Sequence, residues 1–131
     1  MVLAAEVHAG GASRPRLTIV LPAYGEAENL RELLPRLLAI EAGVELQIVV
    51  VDDHSPDETF SVVREWAARD ARIEGIRLAR NSGSHLAILC GLRAARGDAA
   101  AVLAADGQDP PEFVARLVAA WRGGAQVVWA V

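Results

Sequence analysis

Leu46-Gln47-Ile48-Val49-Val50-Val51-Asp52-Asp53-His54-Ser55-Pro56-Asp57-Glu58 is the stretch on which the fold turns. Residues 46–51 form a nearly continuous apolar run with four Ile or Val among six. Such a run does not alternate; it is the pattern of a strand covered on both faces, as in a parallel sheet flanked by helices. Two adjacent carboxylates stand at its carboxyl end. Ser55-Pro56-Asp57-Glu58 then reads as a helix start, with Ser55 as N-cap, Pro56 in the first turn and Glu58 closing a capping box. Val62, Val63, Trp66 and Ala67 continue along one helical face. The whole stretch is a strand, an acidic turn and a helix.

The same unit recurs on either side. Residues 17–21 read as a buried strand ended by Pro22. Leu30, Leu33, Leu34, Leu37 and Leu38 then keep helical spacing, which predicts a helix over 27–40, kinked at Pro35 and left at Gly43. Downstream come a strand at 73–78, a helix at 85–96 stopped by Gly97, and a strand at 99–104. Asp109-Pro110-Pro111-Glu112 opens a further helix with Phe113, Leu117, Val118 and Trp121 on its inner side. Gly123 and Gly124 end it, and 126–131 begins a fifth strand. This alternation predicts an α/β fold around a mainly parallel sheet. Residues 1–16 have neither a basic start nor a sustained apolar stretch; they read as a flexible leader, not a secretory signal. There are no internal repeats.

The 131 residues, 53% of them hydrophobic, suit one domain with a real core and exclude a disordered chain. Net charge is -4, and all 13 basic residues are Arg. A nucleic-acid-binding face is therefore not indicated. Lysine Schiff-base chemistry and a lysine-dependent phosphate loop are excluded. The one cysteine, Cys90, permits no intrachain disulfide and no multi-cysteine zinc site, and reads as part of the core. The longest apolar run, 99–105, is far too short to span a bilayer, which takes about 20 residues.

Ligands of open parallel sheets bind beyond the carboxyl ends of the strands. In this sequence those ends are Pro22-Ala23-Tyr24-Gly25-Glu26, Asp52-Asp53-His54-Ser55, Arg80-Asn81-Ser82-Gly83-Ser84-His85 and Asp106-Gly107-Gln108-Asp109. Converging carboxylates repel one another, so they point to a bound cation or a hydroxyl-rich ligand. The glycine-rich dinucleotide and nucleoside-triphosphate motifs are missing, as are the G-x-S-x-G elbow and the H-E-x-x-H helix. Oxygen chemistry remains: Asp106, Gln108 and Asp109 in a tight turn can offer oxygens to Mg²⁺ or Mn²⁺. Simpler readings stand beside these. Asp52 and Asp53 can solvate a loop, Ser55 and Asp109 can cap helices, Tyr24 can pack at a turn, and His54 and His85 can be exposed.

The residues resemble a family. Val20-Leu21-Pro22-Ala23-Tyr24 with Glu26 and Asn29, Val50-Val51-Asp52-Asp53 with Ser55 and Asp57, Arg80-Asn81-Ser82-Gly83, and Asp106-Gly107-Gln108-Asp109-Pro110-Pro111-Glu112 look like family 2 glycosyltransferases. The likeness is to the polyprenyl-phosphate, dolichol-phosphate mannose synthase-like branch, over about residues 17–131. It implies the GT-A fold, a Rossmann-like mainly parallel sheet flanked by helices, with only the N-terminal donor-binding half in this chain. It implies a UDP- or GDP-sugar donor, a divalent metal, Mg²⁺ or Mn²⁺, and inverting transfer to a lipid-phosphate acceptor. Pro22, Ala23, Tyr24 and Glu26 would cradle base and ribose, and Asp53 with Asp52 would bind the nucleoside. Ala105 and Asp106 would border the donor. Asp106 matches the second acid of the family's D-x-D metal motif and Gln108 a nearby oxygen ligand, while Ala104 stands in place of the first acid. Gly83 and His85 fall where a loop approaches the donor. The family keeps its general base in a later half, so no catalytic base is assigned. A role in cell-envelope glycan synthesis at the cytoplasmic face of the membrane follows from the same likeness, and a homo-oligomer is compatible with it. The rival readings are a nucleotide-binding module or inactive fragment without turnover, and another α/β nucleotide enzyme such as a nucleotidyltransferase.

Overall fold

The computed structural model describes residues 2–5 and 14–129, with backbone alone for 2–5 and 128–129. The elements are β1 Val2–Ala5, β2 Arg16–Ala23, α1 Ala27–Leu38, β3 Glu45–Asp52, α2 Thr59–Arg69, β4 Ile73–Arg77, α3 Ser84–Ala94, β5 Ala99–Val102, α4 Phe113–Arg122 and β6 Val127–Trp129. They build one sheet in the order β4-β3-β2-β5-β1-β6. β4, β3, β2 and β5 are parallel neighbours, with Ile73 beside Ile48, Val50 beside Leu21 and Val20 beside Val102. The expected parallel α/β sheet is present.

The run at 46–51 does what its composition demands. Every residue of β3 from Leu46 to Asp52 is buried. Ile48 and Val50 face a core built with Leu30 and Leu34 of α1, Val62 and Val63 of α2, and Val114 and Leu117 of α4. Val49 and Val51 face the other way, onto Ala87 of α3. Each of these Leu, Ile and Val side chains contributes about 1.5–3 kcal/mol by leaving water. Three helices thus cover one face and α3 the other.

A buried polar knot fixes α3. Thr18 Oγ1 donates to Gln47 Oε1 at 2.6 Å, Gln47 Nε2 donates to the Ala94 carbonyl at 3.1 Å, and the Arg96 amide donates back to Gln47 Oε1 at 2.8 Å. The Gly97 amide closes it on Thr18 Oγ1 at 3.0 Å. The orphan carbonyl and amides after the last turn of α3 therefore find partners on the strands.

Several expectations change. Val2–Ala5 lies within the stretch read as a flexible leader, yet it forms a strand antiparallel to both β5 and β6. Pairing there gives the peptide groups along the edge of β5 their partners; residues 1 and 6–13 of that stretch lie outside the described residues, and Arg16 already belongs to β2. Of the fifth strand expected over 126–131, Val127–Trp129 is a strand, and 130–131 lie outside the described residues. Ser55 is not the N-cap of α2, which begins at Thr59; Asp57 Oδ1 instead accepts the Thr59 amide at 3.0 Å and its hydroxyl. The Thr59 hydroxyl first, then its amide, hold the Asp57 carboxyl below its ordinary pKa. Phe113 does not face inward: Val114 takes that place, and Arg116 lies over the Phe113 ring at 5.4 Å. As expected, α1 carries Pro35 inside it, on its solvent side.

Candidate functional site

The carboxyl ends of β2, β3 and β5 enclose a crevice of about 220 Å³ with the first turn of α3. Pro22, Ala23, Tyr24 and Glu26 line it from the β2 end, Asp53 from β3, and Ala104, Ala105 and Asp106 from beyond β5. Ser84 and Ala87 close it from α3. Seven of the residues singled out from sequence, Pro22, Ala23, Tyr24, Glu26, Asp53, Ala105 and Asp106, are thus brought together from three separate segments.

Each wall has a local cause. Gly25 takes φ +66°, a left-handed turn that glycine adopts without penalty, and its amide donates to Ser55 Oγ at 2.9 Å. The Glu26 amide donates to Thr59 Oγ1 at 3.0 Å, and Asn29 Nδ2 donates to the Glu26 carboxylate at 2.6 Å. Tyr24, between these anchors, is left 51% exposed at the mouth. Beyond β5, Asp106 Oδ1 accepts the Gln108 amide at 3.0 Å across Gly107, which has φ +77°.

Asp52 and Asp53 part company. Asp52 is fully buried: its Oδ1 accepts the amide and hydroxyl of Ser55, and its Oδ2 lies 3.5 Å from Arg77 Nε. It does not line the crevice. Asp53 does line it, but both its oxygens are engaged, Oδ1 by the Ser82 amide at 2.7 Å and Oδ2 by the Gly83 amide at 2.8 Å. Asn81 Nδ2 adds a bond to the Asp53 carbonyl at 3.3 Å. Gly83, at φ +93°, can turn its amide inward because it lacks a Cβ. His85 and Gln108 have exposed side chains and do not line the crevice. His54 is held at φ +61° while its Nδ1 donates to the Leu78 carbonyl at 3.1 Å, outside the crevice.

Ser84 was given no role from sequence, and Ala87 lies beyond the stretches singled out there. Their i, i+3 spacing at the start of α3 places both on one face, and that was the available signal. A larger groove, about 830 Å³, lies at the opposite ends of the strands. Three of the four arginines that line it are paired to acids, Arg16 with Glu45, Arg72 with Asp70 and Arg96 with Glu74, as solvated ion pairs are. The carboxyl-end crevice is therefore the candidate site.

Residues 18–131 match the Glycosyl transferase family 2 profile. The chain belongs to glycosyl transferase family 2. Its family relatives include an undecaprenyl-phosphate 4-deoxy-4-formamido-L-arabinose transferase of Edwardsiella ictaluri, 41% identical over 86% of this chain and 35% of that protein. A dolichol-phosphate mannosyltransferase of Pyrococcus furiosus is 35% identical over 86% of this chain and 32% of that protein. Among solved structures, the mannosyltransferase PcManGT of Pyrobaculum calidifontis, in complex with GDP-Man and Mn²⁺, superposes with a TM-score of 0.68. It is 29% identical over 82% of this chain and 32% of that one. The chain spans about a third of the length of the curated relatives it matches.

Among the described residues of this family 2 chain, no three His, Cys, Asp or Glu side chains gather to hold a metal ion. Ala104, in the crevice wall, adds no ligand. Asp106 nonetheless offers one half-buried carboxylate to the crevice, and Mg²⁺ is commonly held by one or two carboxylates together with substrate phosphates and water. The residues fit a metal that arrives with a phosphorylated ligand. No helix among the described residues is long and apolar enough to cross a membrane.

Proposed function

We propose that this chain is the donor-binding part of a glycosyltransferase that moves a sugar from a nucleotide-diphosphosugar to a lipid-phosphate acceptor. The observation that carries the reading is the crevice at the carboxyl ends of β2, β3 and β5. It brings together an exposed aromatic ring, Tyr24, and a carboxylate, Asp106. The ring offers a face on which a nucleobase can stack. Pro22, Ala23 and Glu26 flank it where base and ribose would lie. Asp106, whose carboxylate the Gln108 amide orients, would hold Mg²⁺ or Mn²⁺ together with the pyrophosphate. When bound, the ion supplies charge neutralisation for the nucleoside diphosphate as it leaves. Inverting transfer places the acceptor and its general base on the face of the sugar away from this pyrophosphate. Membership in family 2, and relatives named for undecaprenyl- and dolichol-phosphate chemistry, support the lipid-phosphate acceptor and a place at the cytoplasmic membrane face.

Calorimetric titration with UDP, GDP and mannose, with Mn²⁺ or EDTA, tests the reading. A nucleoside diphosphate should bind, more tightly with Mn²⁺, and mannose alone should not. Sugar binding without nucleotide binding would overturn it. The second reading, a nucleotide-binding module without turnover, is favoured by one observation: Ala104 lines the crevice where the family motif has its first acid.

A further inference from the structure

α3 is apolar on both of its sides. Ala87 and Gly91 pack its inner side against β2 and β3. On the outer side Leu86, Leu89 and Leu92 are 54%, 49% and 37% exposed, with His85 and Arg93 exposed among them. A helix that is hydrophobic all round is normally covered on all sides. Clustered exposed apolar side chains mark a surface that meets something else.

The charged side chains of α3 and of the loop before it have one sign. α3 contains no Asp or Glu, while Arg93 on its outer side and Arg80 in the loop before it are exposed. This sets the face apart in a chain whose net charge is -4. The same helix gives Ser84 and Ala87 to the crevice, so the face begins at the edge of the site.

We propose that the outer face of α3 docks on the surface of an anionic phospholipid bilayer. Leu86, Leu89 and Leu92 would enter the boundary between headgroups and acyl chains, and Arg80 and Arg93 would meet the phosphates. Docking in this way brings the mouth of the crevice to the plane in which a lipid-phosphate acceptor lies; the proposal rests on that reading of the acceptor. A second copy of the chain is a poorer occupant. A two-fold pairing through this face brings the arginines of both copies together with no acid on either helix to offset them.

The test is co-sedimentation of the 131-residue chain with vesicles of phosphatidylcholine alone and of phosphatidylcholine with phosphatidylglycerol. Binding should require the anionic lipid and weaken as salt rises. Leu89→Glu and Arg93→Glu should each lower the bound fraction by about tenfold. Both positions are exposed, and circular dichroism will show whether the helices are kept. Neither residue lines the crevice, so nucleotide titration of both variants should match the parent chain. Equal binding of Leu89→Glu, no binding to anionic vesicles, or a leucine-dependent dimer that ignores vesicles would overturn the docking face. Vesicle binding without any nucleotide binding would keep the face and remove the donor reading.

Discussion

Asp52 and Asp53 show how far a residue's neighbours in sequence mislead about its neighbours in space. Side chains along a strand point alternately to opposite faces. Asp52 therefore drops toward Ser55 and Arg77 on the α1–α2 side, while Asp53 turns to the start of α3. The sequence placed both at the carboxyl end of one strand, and the period of two, applied to them, would have separated their roles. Asp53 accepts two backbone amides, so it holds the 80–83 loop against the crevice wall. Asp53→Asn keeps the shape but offers one acceptor oxygen and sets an amide N–H₂ against a backbone N–H. The expected cost is about 1–3 kcal/mol in urea unfolding, with faster hydrogen exchange at the Ser82 and Gly83 amides. Unchanged exchange at those two amides would show that the clamp is not formed in solution. At the same crevice, Asp106→Asn should remove most of the gain that Mn²⁺ brings to nucleoside-diphosphate binding, and Ala104→Asp should increase that gain. Titrations with Mn²⁺ and with EDTA check both; affinities indifferent to the metal would argue against a ligand role for Asp106.

At the scale of elements, apolar periodicity found each helix and strand of the parallel sheet, because burial fixes where leucines and valines lie. The ends were harder to read. Ser55-Pro56-Asp57-Glu58 has the letters of a capping box, but Asp52 and the Gly25 amide compete for the Ser55 side chain, and tertiary contacts prevail. The closeness of α3 to the sheet was also hidden, since Gly91 reads as a weak helix former. A Cβ there would lie 2.3 Å from Val20 Cγ1 and 3.3 Å from Val51 Cγ2. Gly91→Ala gains about 1 kcal/mol of helix propensity and is opposed by about 1–3 kcal/mol of overpacking, so it should lower the urea midpoint. Adding Val20→Ala should recover part of the loss; a Gly91→Ala chain more stable than its parent would mean α3 stands further off. The turn from α2 to β4 is tied by Asp70, which accepts from Arg72 Nη2 at 2.7 Å and from the Arg72 amide at 2.9 Å. The Arg72 side chain first, then its amide, lower the Asp70 pKa to about 2. A carboxyl depressed below its unfolded value, about 3.9, stabilises fully above that value and loses the contribution as pH falls toward 2. Asp70→Asn should therefore cost stability at pH 7, with the gap to the parent chain closing between about pH 4 and pH 2. Urea unfolding across that range measures it, and a constant gap would assign the effect to something other than this pair.

For the whole molecule, the decisive quantity is the room at the site. Pockets that enclose a drug-sized ligand run from about 300 to 1,000 Å³. The crevice here holds about 220 Å³, enough for part of a nucleotide and too little for a complete sugar donor beside an acceptor. Its ionisable groups are already occupied in part: Glu26 by Asn29, Asp53 by two amides, Asp106 by the Gln108 amide. A general base left out of place typically costs about 10²–10⁴ in rate. An acceptor that is not held forfeits proximity worth up to about 7–11 kcal/mol. The chain spans about a third of its curated relatives, so the groups that meet those needs have ample sequence elsewhere in such proteins. The 131-residue chain is therefore expected to bind UDP or GDP and to transfer no sugar to polyprenyl phosphate above background. A radiolabelled UDP-glucose or GDP-mannose assay with a lipid-phosphate acceptor measures this, run beside a full-length family 2 relative as positive control. Robust transfer by this chain would mean that a base and an acceptor site lie within it. His54, His85 and Asp109, ionisable residues of the carboxyl-end loops that do not line the crevice, would then be the first to substitute.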